Sequence, residues 1–331
     1  MNPRERIRAA LDFRPVDRLP AVEWAPWWDQ TVARWHGEGL PAALAEPAEI
    51  RAHLGLDPLL YHWIRPRGPG CPKPPAHGAG IIAGREDYLR IKPHLYPRPA
   101  FDPAIFGAWA EAHRRGELAV WFSLDGFFWF PRTLLGIEPH LYAFYDQPEL
   151  MHEINRDLAE FNLRAIAELC QILVPEFMTF GEDLSYNHGP MLSRECFDEF
   201  LLPYYRRVVP ELQARGILAL VDSDGDVEPL IPWFEAAGVE GLLPLERMAG
   251  VDVARIRRNH PRWRMIGAFD KTVMHRGEAA LRAEFERLLP VMRSGGFIPS
   301  VDHQTPPGVS LADYRLYVRL LFEYCRRAAE R

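Results

Sequence analysis

Short apolar runs alternate with longer amphipathic stretches along this chain, and that alternation sets the expected architecture. The runs at Leu19–Glu23, Leu59–Trp63, Ala119–Ser123, Phe177–Gly181, Ile217–Val221, Val239–Leu245, Arg264–Ala268 and Phe297–Val301 read as strands. Between them, Pro148–Leu173, Ser193–Arg215, Val227–Ala237 and Glu278–Ser294 carry helical spacing, with Ser193 and Asp226 placed as N-caps and Gly216 and Gly295 as stops. Strands separated by helices are parallel, because an antiparallel partner would need only a turn. A doubly wound open sheet would place a glycine-rich phosphate turn after its first strand, whereas Glu23-Trp24-Ala25-Pro26 follows here. The expected fold is therefore α/β: a single (β/α)8 TIM barrel over residues 1–331. A helix near Asn2–Asp12 caps its N-terminal mouth, and an irregular excursion occupies residues 31–96. Within that excursion Arg65–Pro75 (RPRGPGCPKPP) is too broken for helix or strand.

Composition narrows the function classes. Hydrophobic residues make up 48% and charged residues 25% of the 331 positions, the balance of an ordinary globular protein. The net charge of −6 has no basic stripe, which argues against nucleic acid and against an anionic membrane surface. The N-terminus starts as a charged amphipathic helix and no run is apolar for the length of a bilayer, so a cytoplasmic protein is expected. Cys71, Cys170, Cys196 and Cys325 form no CxxC pair, which speaks against a thiolate zinc cage and a disulfide framework. A small-molecule substrate is the expected partner.

In a barrel the residues just after each strand carry the chemistry. Here those positions are Glu23 and Trp24; Ser123 and Asp125; Glu182 and Asp183; Asp222 and Asp224; Glu246; Asp270 and Lys271; Asp302 and His303. Any one of them alone reads equally well as a loop or helix cap. The sharpest segment is LALVDSDGDVEPLI, where Asp222 and Asp224 share a face if the strand persists through both. Two close carboxylates require that one is protonated, that a basic group intervenes, or that a metal binds. With His303 as third ligand, Asp222, Asp224 and His303 would suit zinc, manganese or iron; a hydrogen-bonded Asp and His pair is the metal-free alternative. The DSDGD run also has the look of a calcium loop, but lacks that motif's later glutamate. Trp24, Trp27, Trp28, Phe127, Phe128, Trp129 and Phe130 either bury against the rim or line a pocket for a flat substrate. Tyr186, Asn187 and His188 are placed to bond the same ligand, and Arg132 or Lys271 to take a carboxylate.

Several longer segments resemble the uroporphyrinogen decarboxylase superfamily, which also holds corrinoid-dependent methyltransferases. They are RERIRAALDFRPVDRLP, GFFWFPRTLLG, AFYDQPELMHEI, GEDLSYNHGPMLSRECFDEFLLPYY, DSDGDVEPLIPWFEAAGVEGLLPLE, MIGAFDKTVMHRG and GGFIPSVDHQTPPGVSLADYRLY. The resemblance implies the same barrel. Authentic decarboxylases of the family carry an arginine-rich RQAGRY-type segment after the first strand, where this chain has EWAPWWDQTVARW, and the acidic residue expected near the second strand is replaced by Tyr61 and His62. The methyltransferase branch is closer, since Asp222-Ser223-Asp224 stands where its zinc-binding His-x-Cys falls and Asp302-His303 near its final Cys.

That branch implies methyl transfer from an O- or N-methyl donor, such as a methoxylated aromatic, to a corrinoid carried by a separate protein, with zinc as the first choice of Lewis acid. In this reading Asp222, Asp224 and His303 hold the metal, and Glu182, Asp183, Glu246 and His303 are the catalytic candidates. Trp24, Trp27, Asp125, Phe128, Trp129, Tyr186, Asn187 and Lys271 line the substrate site. The competing expectation is a metal-independent decarboxylase of a smaller carboxylated substrate, and family analogy adds a homodimer.

Overall fold

The computed structural model describes residues 1–330. Seven strands form one parallel sheet in the order β1 (Leu59–Ile64), β2 (Ala119–Asp125), β3 (Phe177–Gly181), β6 (Leu218–Asp222), β7 (Gly241–Leu243), β8 (Arg264–Phe269) and β9 (Phe297–Val301). A two-residue ribbon, β4 (Ser185–Tyr186) with β5 (Gly189–Pro190), stands apart after β3. Every residue of β2 and β3 is buried, as strands of a parallel sheet with both faces covered must be. The polar groups inside are paired with each other: Ser123 Oγ lies 2.6 Å from Thr179 Oγ1, and the Tyr61 hydroxyl donates to Ser123 Oγ at 3.1 Å.

The sheet is curled so that one short segment touches both of its edges. The carbonyl of Ala21 accepts from Asp57 N at 2.9 Å just before β1, while Trp24 N donates to Ser300 Oγ at 3.3 Å and Trp24 Nε1 to the Val301 carbonyl at 2.7 Å in β9. This is the stretch expected as the first strand, and it is extended but not laddered. Pro20 has no N–H to donate, and the N–H groups of Ala21 and Trp24 are taken by the Asp57 carboxylate and the Ser300 hydroxyl. The expected eighth strand is thus a side-chain-bonded strap. Arg18 fastens it with two 2.6 Å bonds to Asp57.

Other departures from expectation have local causes. The helix expected over 193–215 is two helices, Arg194–Phe200 and Leu202–Ala214, because Pro203 cannot continue a ladder across Leu201. β7 stops at Leu243 because Pro244 follows. The stretch expected to be irregular holds three α-helices, Asp29–Gly37, Pro47–His53 and Arg85–Ile91, as well as β1. Ser193 caps its helix through Cys196 N at 3.2 Å.

The first helix, Pro3–Leu11, starts on a reciprocal Asn2 and Glu5 capping box and crosses the N-terminal ends of the strands. Arg8 donates to the Gly216 and Glu176 carbonyls ahead of β6 and β3. Arg264 Nε donates to the Leu11 carbonyl, and Gly296 N to that of Ala10. With that mouth plugged, the free end of the sheet is the C-terminal one. Among the described residues no helix is long and apolar enough to cross a membrane.

Candidate active site

The C-terminal strand ends surround a cavity of about 360 Å³. Tyr61, Trp63 and Arg65 project into it from alternate positions along and just past β1, and Trp121 from β2. Glu182 and Asp183 follow β3, Asp222 and Asp224 come from the end of β6, and His303 and Gln304 follow β9. Trp24, Pro26 and Trp129 complete the wall. Gly181 is required at the end of β3, since a Cβ there would lie 2.7 Å from the Trp63 ring.

Glu182 is an anchor for the next loop. Its carboxylate accepts from Phe127 N at 2.8 Å, Phe128 N at 2.8 Å and Trp129 N at 3.0 Å, and from the Tyr205 hydroxyl. These are the unpaired N–H groups at the start of helix Trp129–Leu135, the position where a carboxylate is most useful structurally. Burial pushes Glu182 up to about 7, against the pull of its four donors.

Three more acids crowd the cavity. Burial and the neighbouring Asp183 and Asp224 push Asp222 well above the usual carboxylate range, and its carboxyl accepts no hydrogen bond among the described residues. Asp183 rises to about 6, first through burial and then through Asp224. Its Oδ1 lies 3.5 Å from Asp224 N, and its carbonyl accepts from Arg132 Nη1 at 3.1 Å.

At the mouth, His303 Nε2 lies 3.5 Å from Asp224 Oδ2, and that bond raises the imidazole above its ordinary value. Glu246 completes a trio: one donor atom each from Asp224, Glu246 and His303 lie within 4.8 Å of one another. Glu246 is held by Gly225 N at 3.1 Å and Lys271 Nζ at 3.0 Å. Lys271 reaches to 3.9 Å from Asp302, a buried carboxylate that also accepts from Arg247 N and Lys271 N. The trio offers one imidazole nitrogen and two hard carboxylate oxygens on half-buried, partly open side chains, a donor set that fits a divalent cation.

The donor trio that the geometry groups differs from the expected set at one position. Asp222 belongs to the strand and lies deeper in the cavity, while Glu246 takes its place beside Asp224 and His303. Asp222 and Asp224 both face this cavity, although the ladder ends at Asp222 and the chain turns at Gly225, whose φ is +85°. Phe128 and Trp27 do not reach the cavity. Phe128 packs on His140 at 4.6 Å, and Trp27 against Trp35 and Tyr314. Tyr186 and Asn187 are exposed on the ribbon outside the wall. Asp125 faces an adjoining cavity, bonded to Trp63 Nε1 at 2.7 Å. Sequence reasoning passed over Trp63 and Arg65; the signal was the alternation Tyr61-x-Trp63-x-Arg65 continuing past the strand.

A family model described as uroporphyrinogen decarboxylase (URO-D) matches residues 133–324, and the chain belongs to that family. No curated protein matches the sequence. Among solved structures, a putative vitamin-B12 independent methionine synthase from Listeria monocytogenes is similar at 11% identity. There the match covers 95% of this chain and 97% of that one, with a TM-score of 0.45. A B12-independent methionine synthase from Shewanella sp. W3-18-1 is similar at 12% identity over 67% of this chain and 65% of that one, with a TM-score of 0.42. An L-ribulose 3-epimerase is similar at 14% identity over 81% and 96%, with a TM-score of 0.44.

Proposed function

We propose that this member of the family is a methyltransferase that moves a methyl group from a small O- or N-methyl donor, such as a methoxylated aromatic, to a corrinoid carried by a separate protein. The observation that carries this reading is the trio Asp224, Glu246 and His303 at the mouth of an aromatic-walled cavity. These three residues would hold a divalent metal, zinc first among the choices. When bound, such a metal supplies Lewis-acid polarisation of the heteroatom that loses the methyl group.

The chain's own groups do the rest. Trp24 and Trp129 flank a flat ring, while Lys271 balances the charge of Glu246 and keeps its carboxylate in place. Asp222, whose carboxyl is pushed toward the protonated form by burial and by its acidic neighbours, is the proton source for a departing oxygen. The test is demethylation of methoxylated aromatics by purified protein with a corrinoid partner, followed alongside metal content. Activity that survives chelation in protein free of stoichiometric metal rules the Lewis-acid reading out.

A second reading is favoured by Asp222 itself. A half-buried, unpartnered carboxyl lining the cavity is suited to protonating a carbanion, which is the need of a metal-independent decarboxylase. Carbon dioxide released from a carboxylated substrate by chelator-treated enzyme, and lost in Asp222→Asn, would select this reading.

A further inference from the structure

A second cavity of about 430 Å³ adjoins the first and shares Arg65 and Trp129 with it. Arg67 and Arg132 also line it, so three arginines border one half-open space. Among the described residues none of the three is in an ion pair. Arg65 lies over the Trp63 ring at 3.9 Å, and Arg132 over Trp129 at 5.2 Å while donating to the Asp183 carbonyl. Arg67 Nη2 donates to the Thr133 carbonyl at 2.8 Å and its hydroxyl at 2.7 Å. Arg18 and Arg264, by contrast, are paired with the acids Asp57 and Glu240. The one carboxylate on this wall, Asp125, is pushed up to about 6 by burial, an effect that Arg65 and Arg67 oppose, and one of its oxygens is already taken by Trp63. Three fixed positive charges against one acid leave the space electropositive, beside an acidic first cavity.

The outer wall explains the proline-rich excursion. Pro74, His77, Gly78 and Ala79 face the arginines across the cavity. The loop is tied to the end of helix Trp129–Leu135 by Ile137 N to the Gly78 carbonyl at 3.0 Å and Ile81 N to that of Leu134 at 2.7 Å. Arg67 is fixed to Thr133 in the same helix, so its guanidinium is held in place before any ligand arrives.

We propose that Arg65, Arg67 and Arg132 form an anion subsite that takes a carboxylate of the substrate, with the flat body of the molecule on Trp129 and its other end toward Asp224 and His303. The substrate class is then an aromatic or similarly flat carboxylic acid. This rests on the reading that the first cavity is the reaction site, and it supplies by other residues the carboxylate grip that the segment after Glu23 lacks.

The experiment measures binding to the metal-free protein by tryptophan fluorescence and calorimetry, using 4-methoxybenzoate, its neutral amide 4-methoxybenzamide, and 4-methoxyphenyl phosphate. The acid should bind at least about tenfold more tightly than the amide, the difference expected for charge-assisted bonds. Arg65→Gln, at an exposed position, and Arg132→Gln should bring the acid down to the level of the amide without moving the amide or the melting temperature. Equal affinity for acid and amide in the unaltered protein, or a preference that survives in folded Arg65→Gln/Arg132→Gln, overturns the subsite. Preference for the phosphate over the carboxylate overturns its assignment to carboxylic acids. Arginine-dependent binding without demethylation leaves the subsite standing and counts against methyl transfer; demethylation of acid and amide at equal KM does the reverse.

Discussion

Gly126→Ala puts the anchoring role of Glu182 to a direct test. A Cβ at position 126 would stand 2.5 Å from Glu182 Oε2 and nearer still to Oε1 and Cδ. Glu182 cannot step aside freely, because three backbone N–H groups and the Tyr205 hydroxyl hold it. Moving the carboxylate by the ångström needed weakens charge-assisted bonds and strands buried donors. Overpacking costs about 1–3 kcal/mol and a lost bond to a charged group about as much again, so a total of roughly 4 kcal/mol is expected. With an unfolding entropy of about 2.1 cal/mol/K per residue, that lowers the melting temperature of a chain this long by roughly 6 °C. Calorimetry and urea unfolding at pH 7 provide the measurement. Glu182→Ala should also destabilise, and the double variant should fall short of the sum by about 2 kcal/mol, because the alanine at 182 removes the clash. If Gly126→Ala melts within a degree of the unaltered protein, or if the two changes simply add, Glu182 is not the fixed anchor described here.

Asp222→Asn should raise the melting temperature while slowing turnover, because it removes an unpartnered, half-buried acid crowded by Asp183 and Asp224; a lower melting temperature would contradict the charge crowding. His303→Ala and Glu246→Gln should each cut zinc affinity by tenfold or more in equilibrium dialysis, whereas Asp222→Asn should leave it nearly unchanged, and the opposite ranking would restore Asp222 as a ligand. Stability should fall as pH rises from about 5 to 8. Burial raises Glu23 and Glu182 to about 7 and Asp125, Asp183 and Asp302 to about 6, so the folded chain binds more protons than the unfolded one between about pH 4 and 7. Below that window the sign reverses for Asp17, which Arg6 holds well under the usual range and whose contribution is lost as pH drops. Urea midpoints at pH 5, 6.5 and 8 that rise with pH would refute the burial argument.

The periodicity of apolar residues was enough to place β1, β2, β3, β6, β8 and β9 to within a residue or so, since each is a buried parallel strand whose neighbours are helices. It also singled out the strand ends at Asp183, Asp224, Glu246 and His303, because a polar residue directly after a buried run stands out locally. Leu19–Glu23 misled the same reasoning, for its apolar character reflects a seat between two sheet edges, with its N–H groups taken by Asp57 and Ser300.

What the chain's order of residues determined by itself was thus the set of elements and the acidic character of one rim, both of which depend on neighbours a few positions apart. Which acids meet was decided by the tertiary structure. Asp222 and Asp224 are two residues apart and line one cavity, yet it is Asp224 alone that meets Glu246 and His303, brought there by strands that lie far apart in sequence. The same holds for Arg65, Arg67 and Arg132, ordinary surface charges by composition, which border one space only because β1 pairs with β2 and the segment after β1 meets the helix after β2 through Arg67 and Thr133.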